Sequence, residues 1–168
     1  DFSATIAKIS ASGANVVIYT GYYSQAAVFV KQLRANAATK NVIFAGGDGV
    51  FNASYADLAG ASAEGTRLTG VSGLEDDAPT VAAAYAKSMG SAPGVYATQS
   101  YDAANIFLAG IKAGKLTRNA MLNWVKSGPF PGVGGASYKF DRNGDITEGG
   151  FNGFVVTSGK LVNKGLVK

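Results

Sequence analysis

Two polar clusters in the chain are placed to do chemistry: Tyr22 and Tyr23 behind Gly21, and Asp48 among Gly46, Gly47 and Gly49. Each follows a short apolar run, within Val16–Gln25 for the tyrosines and Val42–Val50 for the carboxylate. A parallel strand in an open α/β sheet carries its ligand groups in the crevice beyond its carboxyl end. An aromatic ring and a carboxylate at two such ends describe a site for something small, cationic and partly apolar. Tyrosine suits that site because it joins an apolar ring to a hydroxyl. Asp48 has a plainer reading as well, as a helix N-cap or turn carboxylate. The tyrosines likewise have a packing reading, and the local sequence leaves both pairs of readings open.

Other chemistries lack their residues. Cysteine and histidine are both absent, which removes disulfides, thiol nucleophiles, Cys/His zinc sites and any Ser-His or Cys-His pair. An enzyme would have to run on carboxylates, lysines or tyrosines, and no pair of these is arranged for it. Gly132-Val133-Gly134-Gly135 lacks the strand–turn–helix setting of a dinucleotide site. No Gly-x-x-x-x-Gly-Lys-Ser/Thr loop and no Gly-x-Ser-x-Gly elbow occurs. Asp141–Asp145 has the residue types of a calcium loop without its spacing, since glycine belongs at the sixth and glutamate at the twelfth position. It reads as a β-turn. Asn52-Ala53-Ser54 matches a glycosylation sequon at the level of chance. No cofactor and no metal are expected.

The elements that must position these residues follow from periodicity. The 168 residues are 47% apolar with a net charge of +4 and 23 glycines. That is enough for one domain or a large piece of one. The basic residues are scattered with no stripe of interleaved aromatics, which argues against nucleic acid. No run approaches the ~20 apolar residues that span a bilayer.

Asp1 is expected to cap a helix running to Ser12, with Phe2, Ile6 and Ile9 on one face, ended by Gly13. Asn15–Thr20 reads as a strand buried on both faces. Ser24 is expected to cap a helix to about Asn36, with Ala27, Val30, Leu33 and Ala37 inward. A strand at Asn41–Ala45, a short helix at Ser54–Ala59 and a strand at Gly65–Val71 complete a β-α-β-α-β series. The fold class is therefore α/β, a doubly wound parallel sheet. The first helix has no strand before it, which points to a domain starting upstream of Asp1. From about Ser72 the character changes. An acidic connection, Leu74–Pro79, leads to helices at Ala78–Met89, Val95–Ala113 and Thr117–Lys126. A loop follows at Ser127–Gly135, then a strand at Ser137–Asp141 and a turn at Asn143-Gly144. Phe151–Thr157 and Lys160–Val167 read as strands paired around Ser158-Gly159.

Taken in order and spacing, six segments resemble the C-terminal half of the type I periplasmic binding proteins, the leucine/isoleucine/valine-binding group. They are Asp1-Phe2-Ser3, Tyr19-Thr20-Gly21-Tyr22, Phe44–Gly49, Ala61–Gly65, Ser100–Ala104 and Phe140–Asp145. The resemblance implies two α/β lobes joined by hinge strands and closing on an amino acid, served by the membrane permease of an ABC importer. It implies export to the periplasm or cell surface and no enzymatic activity. Residues 1–71 would belong to the C-terminal lobe, 72–150 to the first lobe and 151–168 to the return strands, with hinge crossings near Gly70–Gly73 and Glu148–Asn152. Asp48 matches the acidic residue that holds the ligand α-ammonium, and Tyr22 the tyrosine at the cleft edge. Tyr96 matches an aromatic that reaches the ligand from the first lobe. Gly21, Gly47 and Tyr23 are neighbours that contribute backbone or wall. The groups that hold the ligand carboxylate lie, in the family, in a part this chain lacks. A lone fragment would then expose the faces that the missing strands should cover, inviting self-association. Two other readings are a sensor module of the same fold and a flavodoxin-like enzyme domain. The second would need a phosphate-cradling loop, which is absent.

Overall fold

The computed structural model describes residues 1–71, 78–147 and 150–167. The chain divides into two compact units. Asp1–Val71 with Phe151–Lys168 forms one, and Ser72–Gly150 the other. The acidic connection Leu74–Asp77 and parts of both expected hinge crossings lie outside the described residues.

The first unit begins with α1 (Ser3–Ser12). Asp1 accepts from the Ser3 backbone N–H at 2.9 Å, but the residue at the N-cap is Phe2 and not the expected Asp1. Gly13 ends it in the left-handed conformation, at φ 67°. The strands β1 (Val16–Tyr19), β2 (Ile43–Gly46) and β3 (Arg67–Gly70) alternate with α2 (Tyr23–Ala35) and α3 (Ala53–Ala59). The chain returns as β6 (Asn152–Thr157) and β7 (Lys160–Leu166). These five strands form one sheet in the order β1-β2-β3-β6-β7. The first three run parallel, and β6 and β7 add antiparallel pairs, so the sheet is mixed. Ser158 and Gly159 both take positive φ, 52° and 73°, which is what a two-residue hairpin turn requires. Glu64 accepts from the Ser158 N–H at 3.2 Å and so fastens that turn to the body of the unit.

The core is aromatic. Phe29 meets Phe2 edge-on at 5.2 Å and stacks with Tyr19 at 5.6 Å; Phe44 lies 5.8 Å from Phe29 and 6.4 Å from Tyr55. Val30, Leu33, Leu68 and Val156 complete it. All of this lies on one side of the sheet. On the other side, Ile18 is 75% and Val16 48% exposed. β1 is therefore not buried on both faces, as its continuous apolar run suggested. Val17 and Tyr19 meet the helices, while Val16 and Ile18 face away from them. Two details of α2 also differ from expectation. It starts at Tyr23 rather than after a Ser24 cap, and Ala37 lies exposed beyond its end.

The second unit holds α4 (Pro79–Met89), α5 (Ala97–Lys112) and α6 (Arg118–Lys126). Thr117 caps α6 by accepting from the Ala120 N–H at 3.2 Å. The expected loop contains a two-residue strand β4 (Phe130–Pro131), paired with β5 (Ser137–Tyr138). Asp141 accepts from the backbone N–H groups of Asn143 and Asp145 at 2.8 and 3.0 Å. Gly144 sits at φ 96° within this turn. Asp141–Asp145 is thus a carboxylate-pinned turn, as its composition indicated.

Candidate functional site

β1 and β2 are neighbours in register, Tyr19 opposite Gly46, so the loops beyond their carboxyl ends must meet. After Tyr19 the chain passes through Thr20 and Gly21 to Tyr22, the residue that precedes the first turn of α2, with φ −98° and ψ 159°. Tyr22 is 72% exposed. Tyr23 begins the helix and packs on the aromatic core. After Gly46 the second loop folds tightly: the Val50 N–H donates to the Gly47 carbonyl at 3.0 Å and the Phe51 N–H to the Asp48 carbonyl at 3.1 Å. Val50 is fully buried and Phe51 rests on Phe154, ring centres 4.3 Å apart. These two anchors leave the Asp48 side chain exposed above them.

The two loops are joined directly, since the Tyr23 N–H donates to the Gly49 carbonyl at 2.9 Å. Between them lies a concavity of about 400 Å³, lined by Ile18–Gly21, Ala45–Gly49 and Thr69. Among the described residues it is lined by one acidic residue, Asp48, with glycines, Ile18, Tyr19, Ala45 and two threonines around it. A carboxylate in such a setting attracts a cationic group, and charge-assisted hydrogen bonds are about twice as strong as neutral ones. The structure therefore brings Gly21, Gly47 and Asp48 to one concavity. Tyr22 stands beside it, its ring 3.6 Å from where a Gly49 Cβ would lie. Tyr23 offers its backbone and turns its ring to the core. The cap reading of Asp48 is filled by another residue: Asn52 caps α3, accepting from the Ser54 N–H at 2.9 Å.

Tyr96 lies in the second unit. It precedes α5 in the left-handed conformation, φ 66° and ψ 10°. A tyrosine held there stores backbone strain, and such residues cluster at functional sites. Its carbonyl accepts from the Ser100 N–H at 2.9 Å. The same unit carries a groove of about 720 Å³ between α4 and α5, with Tyr85, Met89, Val95 and Tyr101 on its walls. Sequence reasoning named neither this groove nor Thr20 and Thr69 as lining residues. Thr69 had a usable signal, its place beside Gly70 at the end of a strand parallel to the other two.

Asp102 on α5 is a buried carboxylate with a structural use. It accepts from the Val133 N–H at 3.0 Å and the Tyr138 hydroxyl at 2.9 Å. Among the described residues no group of three His, Cys, Asp or Glu could hold a metal ion. No helix among them is long and apolar enough to cross a membrane.

A mixed sheet led by three parallel strands, with a ligand-sized hollow at their carboxyl ends, defines an α/β binding protein. Comparison with known proteins gives the family. Residues 1–159 match the model of the periplasmic binding proteins, and the chain belongs to that family. It is a family of binding proteins and not of enzymes. The chain is 26% identical over 165 residues to a Leu/Ile/Val-binding protein homologue of Brucella melitensis, covering 96% of this chain and 44% of that protein. It is 28% identical over 149 residues to the leucine-, isoleucine-, valine-, threonine- and alanine-binding protein of Pseudomonas aeruginosa, covering 87% and 39%. Its fold matches the crystal structure of the leucine-binding protein LivK of Thermotoga maritima with a TM-score of 0.83 at 23% identity, covering 99% of this chain and 48% of that one. The chain thus spans less than half the length of each of these proteins.

Proposed function

We propose that this chain is the ammonium-holding portion of an amino-acid-binding protein that serves an ABC importer. The ligand is a zwitterion with a branched or other small aliphatic side chain, taken up between two lobes. Residues 1–71 and 151–168 belong to the C-terminal lobe in this reading, and 72–150 to the first lobe. Asp48 receives the α-ammonium, Tyr22 covers the ligand from the cleft edge, and Tyr96 is the aromatic contributed by the other lobe. Gly21 and Gly47 supply backbone at the floor. Binding takes place in the periplasm or at the cell surface, and the loaded protein delivers its ligand to the membrane permease.

The observation that carries this reading is the placement of Asp48, the one acidic residue among the described lining, in a concavity of about 400 Å³ at three parallel strand ends. An ammonium on a short aliphatic frame satisfies both features together. The amino-acid ligands in the names of the Brucella and Pseudomonas proteins support the same class.

Calorimetry of the full-length protein with a panel of amino acids tests the proposal. Leucine, isoleucine or valine should release heat on binding, and the same carbon frames without the amino group should not. Silence from every amino acid in the panel would overturn it, as would equal affinity for the deaminated acids.

A further inference from the structure

Tyr19 belongs both to the aromatic core of the first unit and to the lining of the site. Tyr19 stacks on Phe29 and lies 5.9 Å from Phe44. Its ring lies against Gly21, where a Cβ would come within 2.7 Å of the phenol edge. The Gly21 carbonyl in turn lies against Gly49, where a Cβ would come within 2.7 Å of that oxygen. The second close approach is backbone against backbone, so no side-chain rotation can relieve it. The Gly49 carbonyl itself takes the Tyr23 N–H at 2.9 Å. Gly49 therefore meets the loop that carries Tyr22 at two points, and it directly follows Asp48.

We infer that Gly49 is a positioning residue: its bare Cα lets the β2 loop seat on the Gly21 carbonyl, and this seating sets the distance between Asp48 and Tyr22. The inference rests on the amino-acid-binding reading above and adds the element that fixes its geometry. A methyl group at Gly49 has no room beside the Gly21 oxygen. The two loops must then part by several tenths of an ångström or more, carrying Asp48 with them. Binding groups have to be held within roughly half an ångström of their productive geometry, so a shift of this size acts on affinity. The fold is spared, because Val50 and Phe51 remain anchored in the core beneath.

The test is a double-mutant cycle in the full-length protein, with L-leucine, L-isoleucine and L-valine as probes. Gly49→Ala should weaken binding by about tenfold with a small change in melting temperature. In the Asp48→Asn background it should cost little further, because a misplaced carboxylate and a missing one forfeit the same contact. A second variant leaves Gly49 intact, and its melting temperature is read beside its affinity because the Tyr23 ring packs on the core. Tyr23 is the first residue of α2, where proline is well tolerated, and Tyr22 already has the extended backbone that proline demands of its predecessor. Tyr23→Pro removes the bond to the Gly49 carbonyl and should also weaken binding. Unchanged affinity in both variants while Asp48→Asn binds weakly would overturn the positioning role and leave the amino-acid reading standing. Losses that simply add to that of Asp48→Asn would overturn it too, by showing a structural role alone. If Asp48→Asn itself leaves affinity unchanged, both the site reading and this inference fall.

Discussion

Tyr138 donates its hydroxyl to Asp102 at 2.9 Å, and the other oxygen of that carboxylate accepts the Val133 N–H at 3.0 Å. One buried side chain on α5 thereby holds both the short strand β5 and the turn before it. Gly132 is part of the same fit, since a Cβ there would collide with the carboxylate and with the Tyr138 ring. Among the described residues the buried apolar cluster of the second unit is small, around Ala78 and Ala82, so this polar clamp matters to its stability.

Asp102→Ala should therefore destabilise the second unit by about 2 kcal/mol, the scale of hydrogen bonds to a charged group. Denaturant melts that report Trp124, which packs on Phe130 at 5.3 Å in this unit, measure it. Asp102→Asn keeps one acceptor and should cost less. A change within a few tenths of a kcal/mol for the alanine variant would show that the clamp is incidental.

Tyr55 makes stability depend on alkaline pH. It is fully buried, and its hydroxyl pairs with Thr66 Oγ1 at 2.9 Å. Burial pushes its pKa above the ordinary tyrosine value, with Thr66 and the Arg34 charge pulling weakly the other way. The sign follows directly. The folded state holds this proton more tightly than the unfolded state, so the contribution is complete below about pH 10 and is lost as pH rises beyond it. Stability measured against pH should fall above that point, and Tyr55→Phe should flatten the decline. A variant that declines as steeply as the parent would assign the loss to other groups.

Asp48→Asn in the full-length protein should weaken amino-acid binding at least about tenfold, or roughly 1.4 kcal/mol. The melting temperature should change little, because Asn52 and not Asp48 caps the following helix. Titration calorimetry and a thermal melt on one preparation separate the two effects. A large loss of stability with unchanged affinity would restore a purely structural role for Asp48.

Much of this architecture could be read from residue types alone, because local rules fix it. Gly13, Thr117, the Ser158-Gly159 turn and the Asp141 turn all act through bonds within a few residues, and the sequence displays both partners. What escaped reading depends on distant partners. Ser24 looked like a better helix cap than Tyr22, yet α2 starts at Tyr23, whose N–H is taken by Gly49, 26 positions away in the chain. Asp48 kept two readings until Asn52 was seen to fill one of them. The apolar run of β1 correctly announced a strand, but apolar character does not say which layer covers each face. The same holds for the groove between α4 and α5, whose walls come from two helices of ordinary amphipathic sequence.

The exposed side of β1 leads to the last prediction. β1 stands at one end of the sheet, and among the described residues nothing pairs with its outer edge. Asn15–Thr20 contains no charge and no proline, the usual devices that blunt such an edge. Val16 and Ile18, with Ile43 beside them, add an apolar strip on the open face. A strand with free backbone groups and an apolar flank pairs with another strand, and in a solution of this chain alone the available strand is that of a second copy. Sedimentation of the 168-residue chain should show species larger than the monomer that grow with concentration. Ile18→Lys puts a charge on the strip and should shift the population toward monomer without unfolding the core, because Ile18 faces away from it. The same isolated chain should bind leucine, isoleucine and valine weakly or not at all, because it spans less than half of its relatives' length. A monomer at all concentrations would mean that the β1 edge is protected, and millimolar or tighter binding by the chain alone would mean that its concavity suffices for recognition.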